Sequence, residues 1–159
     1  MLFRSKERYK NGFSVCVSEL RQDEESVSSK IKTISRAFYE LSYNTARDNG
    51  FDEAIMLNKK GFICEATRSN LFFIKSSQLF TPELSCGCLP GVTREFIIDK
   101  AKGCGFKVNE GKFRIKNLLD SDEAFLTNSL MGIMPLKSVN KRNLSRNKND
   151  FKITKIFLK

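Results

Sequence analysis

Between Ala54 and Pro82 the apolar residues fall into four short runs, separated by turn-forming residues. "AIMLNKKGFICEA" reads as two strands about an Asn-Lys-Lys-Gly turn, and "NLFFIKSSQLFTP" as a second hairpin about Ser76-Ser77. Runs this short, rich in Ile, Leu and Phe and bounded by Gly, Asn and Ser, indicate strands rather than helices. The chain is therefore read first as a sheet protein.

The remaining segments fit around that sheet. "GFSVCVSEL", Gly12 to Leu20, alternates with period two and predicts another strand. In "TISRAFYELSYNTARDN", Thr33 to Asn49, apolar residues at Ile34, Ala37, Phe38, Leu41 and Ala46 predict a helix with Gly50 as its C-cap. A second helix is predicted from Thr93 to Lys102, closed by Gly103. "FKVNE" and "EAFLTN" read as further strands, with a short helix around Ile115 to Leu119 between them, and "FKITKIFLK" as a short terminal helix. The expected class is mixed α/β (α+β), a sheet crossed by helices, forming one domain over residues 1–159.

Composition removes several functions. The chain has no histidine, so Ser-His and Cys-His nucleophile pairs are excluded. Its five cysteines are Cys16, Cys64, Cys86, Cys88 and Cys104, and Cys86-Gly-Cys88 lacks the two-residue gap of zinc and thioredoxin-like motifs. Reduced, mostly buried thiols are expected, with no metal site. No apolar run reaches membrane-spanning length, and "MLFRSKERYK" is too short and charged for a secretory leader, so a cytoplasmic address is expected. The net charge of +10 is concentrated at one end: Lys137 to Lys159 holds eight basic residues and one acid, Asp150. No aromatic residue lies between Lys137 and Asp150, so a base-stacking platform is not indicated there. The tail reads as a solvated surface segment, with no specific nucleic-acid or membrane partner.

Small polar residues gather in three turns, at 65–70, 89–94 and 127–132. "CLPGVTREF" places Pro90 and Gly91 just before a helix that opens Val92-Thr93-Arg94, an arrangement that presents unpaired N–H groups to an anion. It is also how many ordinary helices begin. "TNSLMGIMP", Thr127 to Pro135, offers amides and hydroxyls at Asn128 and Ser129. Glu65 ends an apolar strand, and a carboxylate buried there needs a cationic or N–H partner. Lys32, in "SSKIKTISR", lies where an acidic loop meets the first long helix; in a dry pocket such a lysine reacts with carbonyls.

Taken together and in order, these segments resemble the class IV aminotransferase family, the fold-type IV enzymes that use pyridoxal 5′-phosphate (PLP). The matching residues are Ile31-Lys32, Gly50-Phe51-Asp52-Glu53-Ala54, Glu65 through Phe72, Thr81-Pro82 and Leu89-Pro90-Gly91-Val92-Thr93-Arg94. The resemblance spans roughly Gly12 to Val139. It implies the large C-terminal pseudo-barrel domain of D-amino-acid-aminotransferase-like enzymes. It also implies that Lys32 holds PLP covalently and serves as base and acid. Glu65 would pair with the pyridine nitrogen, and Val92, Thr93, Asn128 and Ser129 would hold the phosphate.

Within the family "FLTNSLMGIMPLKSV" resembles the aminodeoxychorismate lyases, which split 4-amino-4-deoxychorismate into 4-aminobenzoate and pyruvate in folate synthesis. A branched-chain or D-amino-acid aminotransferase is the alternative, since Lys32 and Glu65 serve both reactions. Family members carry a smaller N-terminal domain before the segment matched by "GFSVCVSEL"; it is expected to be absent here, or supplied as a separate chain. Little or no lyase activity is then expected of the chain by itself. A homodimer is the family's usual state. A rival of another class is an inactive remnant that binds a partner through an exposed apolar face. Arg68 stands where small residues are common in the family, either crowding the turn or meeting a substrate carboxylate.

Overall fold

The computed structural model describes residues 6–144. Its elements run in the order α1 (Lys6–Asn11), β1 (Phe13–Gln22), α2 (Ala37–Asp48), β2 (Glu53–Asn58), β3 (Ile63–Ala66), β4 (Asn70–Lys75), β5 (Gln78–Pro82), α3 (Val92–Gly103), β6 (Val108–Gly111), α4 (Ile115–Leu119), β7 (Glu123–Asn128), β8 (Gly132–Val139) and β9 (Arg142–Asn143). Short 3₁₀ turns fall at Val27–Ser29 and Leu84–Cys86. The terminal-helix expectation for 151–159 and most of the basic tail lie outside the described residues.

The strands form one mixed sheet in the order β3-β2-β1-β8-β7-β4-β5-β6, with β9 on β8. Both expected hairpins form. Ser76 and Ser77 take φ of 48° and 59°, the paired left-handed conformation of a two-residue turn that matches strand twist. Two strand pairs are parallel with a helix between them, β1-α2-β2 and β5-α3-β6. A parallel pair needs a crossover, and the two long helices supply it. β3, at one end of the strand order, still touches β4 and β5 near the other end, so the sheet curls on itself.

Period-two alternation splits the apolar residues between two cores. Leu71 and Phe73 of β4, Ala124 and Leu126 of β7, and Met134 and Leu136 of β8 pack inside the curl with Val15, Ile55, Leu57 and Ile63. Their neighbours Phe72, Ile74, Phe125 and Ile133 face outward onto Ile97, Ile98 and Ala101 of α3. Phe72 and Phe125 stack at 5.2 Å on the outer face, while Phe73, Phe80 and Phe113 form a stacked and edge-on trio within. Each buried Phe or Leu contributes about 1.5–3 kcal/mol. Three cysteines, Cys64, Cys86 and Cys88, are buried as free thiols; Cys16 is half-buried and Cys104 exposed. Among the described residues no helix is long and apolar enough to cross a membrane.

The turn expected at 127–132 forms: β7 ends at Asn128 and β8 begins at Gly132, carrying Pro135 opposite Phe125. Two local expectations are corrected. The first long helix starts at Ala37, not Thr33. Thr33 Oγ1 donates to the Ser35 carbonyl, and Ile34 is fully exposed, so this stretch gains neither helical bonds nor burial. Gly103 does not close α3; it is the last helical residue, and Gly105, at φ +82°, takes the left-handed position after the Cys104 cap. The two glycines therefore respond oppositely to alanine. Gly103→Ala, with nothing within 4 Å of the added Cβ, is expected to stabilise by about 0.5–1 kcal/mol. Gly105→Ala is expected to destabilise by about 1 kcal/mol or more. Thermal denaturation of the two variants checks this; equal effects would contradict the C-cap geometry.

Candidate active site

Glu65 is the penultimate residue of β3, and the backbone turns through Thr67–Ser69 into β4. The Glu65 side chain is drawn below the surface, only 3% exposed. Its Oε2 accepts from the Leu89 backbone N–H at 3.1 Å and from Asn70 Nδ2 at 3.4 Å, and its Oε1 from the Tyr39 hydroxyl at 3.3 Å. No ion pair reaches it among the described residues. Burial pushes its carboxyl up from the ordinary value near 4.5 to about 7, opposed by the Leu89 and Tyr39 bonds and the Arg36 charge. Glu53, itself buried and raised by burial, adds negative charge nearby. Tyr39 is raised by its own burial and by the Glu65 charge, so it remains a hydroxyl donor.

Leu89 belongs to the turn that leads into α3. That helix is capped by Gly91, whose missing side chain makes no capping bond, so the first-turn amides lack a side-chain acceptor. Val92 is 83% exposed at this end and Thr93 half-buried. A Cβ on Gly91 would stand 2.1 Å from Asn70 Oδ1. Asn70 also donates to the Leu89 carbonyl at 2.9 Å. On the other side, Asn70 of β4 pairs in register with Thr127 of β7, one residue before Asn128.

Of the five expected positions besides Lys32, Glu65 touches Asn70, Val92 and Thr93 follow its neighbour Gly91, and Asn128 and Ser129 follow its strand partner Thr127, although not all with the groups expected. Asn128 spends its side chain on its own turn: Oδ1 accepts from Leu130 and Met131 N–H at 3.0 and 2.8 Å, and Nδ2 donates to the Arg68 carbonyl at 3.0 Å. Its side chain is committed to shaping the turn that exposes Ser129. Arg68 neither crowds the turn nor stands free. Its guanidinium lies 3.7 Å from the Tyr43 ring centre and pairs with Glu40 of α2 at 2.5 Å.

Lys32 lies in the coil between Lys30 and Arg36 and is exposed. Among the described residues no hydrogen bond or ion pair joins it to Glu65, Val92, Thr93, Asn128 or Ser129. Its neighbours Ile31 and Thr33 nevertheless line a cavity of about 290 Å³ together with Tyr39 and Leu89, two of the three residues that donate to Glu65. Arg21 and Arg36 line the same cavity. Arg36 lies over the Tyr39 ring at 4.8 Å and donates to the Thr67 carbonyl, tying the lysine segment to the turn after Glu65. Tyr39, Arg36 and Asn70 were not among the expected site residues. Asn70 carries the one local signal, a polar residue at the buried start of an apolar strand.

The arrangement offers a helix start without a side-chain cap, a dry carboxylate with only neutral donors in contact, and an exposed lysine between two residues, Ile31 and Thr33, that line the adjoining cavity. The sequence profile of amino-transferase class IV matches residues 2–139. A probable branched-chain-amino-acid aminotransferase of Rickettsia bellii is 30% identical over 148 residues, 91% of this chain and 50% of that protein. Aminodeoxychorismate lyase of Bacillus subtilis is 40% identical over 91 residues, 57% of this chain and 31% of that one. The crystal structure of Escherichia coli branched-chain amino acid aminotransferase superposes with a TM-score of 0.85 at 31% identity, covering 91% of this chain and 49% of that chain. The chain spans about half the length of the relatives it matches. Its profile match, its curled mixed sheet and the Glu65 and Pro-Gly turns agree, and the chain belongs to the class IV aminotransferase family.

Proposed function

We infer that the chain is the PLP-binding part of a class IV enzyme, and that its reaction is the cleavage of 4-amino-4-deoxychorismate to 4-aminobenzoate and pyruvate. The observation that carries the cofactor reading is Glu65, a carboxylate 3% exposed and contacted only by neutral donors. A buried acceptor of this kind is completed by a cationic N–H, and a pyridinium nitrogen is one. The uncapped start of α3 suits a phosphate, with the Val92 and Thr93 amides, the Thr93 hydroxyl and the Asn128–Ser129 turn as its holders. The residues present therefore fit the group.

When bound, PLP supplies an electron sink for the pair left behind when a proton leaves the amine-bearing carbon. The chain's part is to move that proton and hold the charges. Lys32, as a free amine, takes the proton from the carbon bearing the substrate amine. Breaking the carbon–oxygen bond to the enolpyruvyl group makes the ring aromatic. The proton returned by Lys32 converts the departing enolpyruvate to pyruvate, so atoms balance. Glu65 keeps its partner nitrogen protonated, and Tyr39 and Leu89 hold the carboxylate in place. The "TNSLMGIMP" turn supports lyase over transaminase, as does the similarity to the Bacillus lyase. The similarity to branched-chain aminotransferases supports the second reading, a transamination that would release a 2-oxo acid.

Three outcomes are expected. PLP added to the chain and fixed with borohydride should label the Lys32 peptide, and Lys32→Ala should abolish that label; label scattered over many surface lysines would remove the assignment. With 4-amino-4-deoxychorismate the loaded chain should yield 4-aminobenzoate and pyruvate, and product identity rather than rate is the readout. A 2-oxo acid from a branched-chain amino acid, with no 4-aminobenzoate, would establish the transaminase instead.

The third outcome concerns pH. A carboxyl raised from near 4.5 to about 7 stabilises the fold when protonated, and that stability is lost as pH rises through 7. Without PLP, the wild-type chain should therefore lose more stability between pH 5 and pH 8 than Glu65→Gln. The difference should be on the order of 3 kcal/mol. Denaturant titrations at the two pH values measure it, and parallel losses would mean that Glu65 is not titrating in a dry site.

A further inference from the structure

Glu65, Leu89 and Asn70 close a ring of hydrogen bonds. Leu89 N–H and Asn70 Nδ2 both donate to Glu65 Oε2, at 3.1 and 3.4 Å, and Asn70 Nδ2 also donates to the Leu89 carbonyl at 2.9 Å. Asn70 is itself only 6% exposed. Leu89 stands two residues before Gly91, the cap of α3, and Asn70 Oδ1 fills the space where Gly91 lacks a Cβ. The ring therefore joins the carboxylate that would meet the pyridine nitrogen to the helix start that would meet the phosphate. Tyr39 reaches only the carboxylate, and Asn128 only its own turn and Arg68. Among the described residues, Asn70 is the side chain that touches both Glu65 and the turn leading into α3.

PLP carries its nitrogen and its phosphate arm on one rigid ring. A protein that binds both ends at once has to hold its two binding groups at a matching separation. Linking two weak contacts through a rigid ligand multiplies their affinities only while that separation is kept. We propose that Asn70 is a positioning residue that holds the Glu65 carboxylate and the N-terminus of α3 at the separation at which one PLP molecule satisfies both. This rests on the cofactor reading above. Asn70 needs no contact with the cofactor for this role, and its loss leaves each end individually competent.

The test compares PLP with pyridoxal, which has the ring and aldehyde but no phosphate, in equilibrium titrations of the 159-residue chain. Asn70→Ala should weaken PLP by about tenfold or more, the scale of one or two lost hydrogen bonds, and pyridoxal by much less. Should Asn70→Ala fail to fold by thermal melt, Gly91→Ala applies the same test from the other side. Its Cβ would displace Asn70 Oδ1 while every hydrogen-bonding side chain stays in the sequence, and the same split is expected. Where both variants fold, adding Gly91→Ala to Asn70→Ala should cost no more PLP affinity than Asn70→Ala alone, since the added methyl then has room. Equal weakening of PLP and pyridoxal, or no change in either, would overturn the positioning role while leaving wild-type PLP binding, and so the cofactor reading, intact. A wild-type chain that binds no PLP would overturn both.

Discussion

A carboxylate stripped of water and given no counter-charge is an expensive thing to bury, and the structure around Glu65 is arranged to permit it. A backbone N–H, a phenol and an amide converge on its two oxygens. Those donors come from three places far apart in the chain: the start of α2, the start of β4 and the turn before α3. Bringing them together requires most of the fold. Burial still holds its carboxyl up at about 7 against the pull of those donors, a cost that a cationic ring nitrogen would relieve and a neutral ligand would not.

The topology explains why the donors meet there. The parallel pairs β1–β2 and β5–β6 are each crossed by a helix, so α2 and α3 both begin beyond the carboxyl ends of strands, after β1 and β5. Sites in sheets with parallel strands gather at such ends, where loops and helix starts face one another. Here the two crossover loops touch directly. Gln22, at the end of β1, donates to the Gly87 carbonyl between β5 and α3, and the cavity lined by Ile31 and Thr33 takes Leu89 from the second loop. One loop carries the lysine and the other the helix start, with Glu65 between them.

How much of this was legible in the sequence depends on how local each feature is. The hairpins about Asn58–Gly61 and Ser76-Ser77 could be read because their turn residues sit beside the strands they join. The α3 start could be read from Pro90 and Gly91 for the same reason. Thr33–Arg36 misled because apolar spacing alone does not reveal that Ile34 has nothing to pack against. Asn128 was legible as a polar turn residue, but not that its amide is consumed by Leu130, Met131 and Arg68. Tyr39 and Asn70 could not be found by motif. Their importance arises from contacts with Glu65, across 26 residues for Tyr39, and from the seam that Asn70 shares with Gly91.

The bond between Gln22 and Gly87 spans 65 positions of chain. Contacts of such separation form late, because the intervening chain must first be ordered, whereas each hairpin closes over a few residues. The sheet's hairpins can thus assemble while the two crossover loops are still apart. The site is then among the last parts of the molecule to mature and among the first to open. A ligand seated between the loops would act chiefly on their opening rate, slowing amide exchange there well before it altered the exchange of β4 or β7.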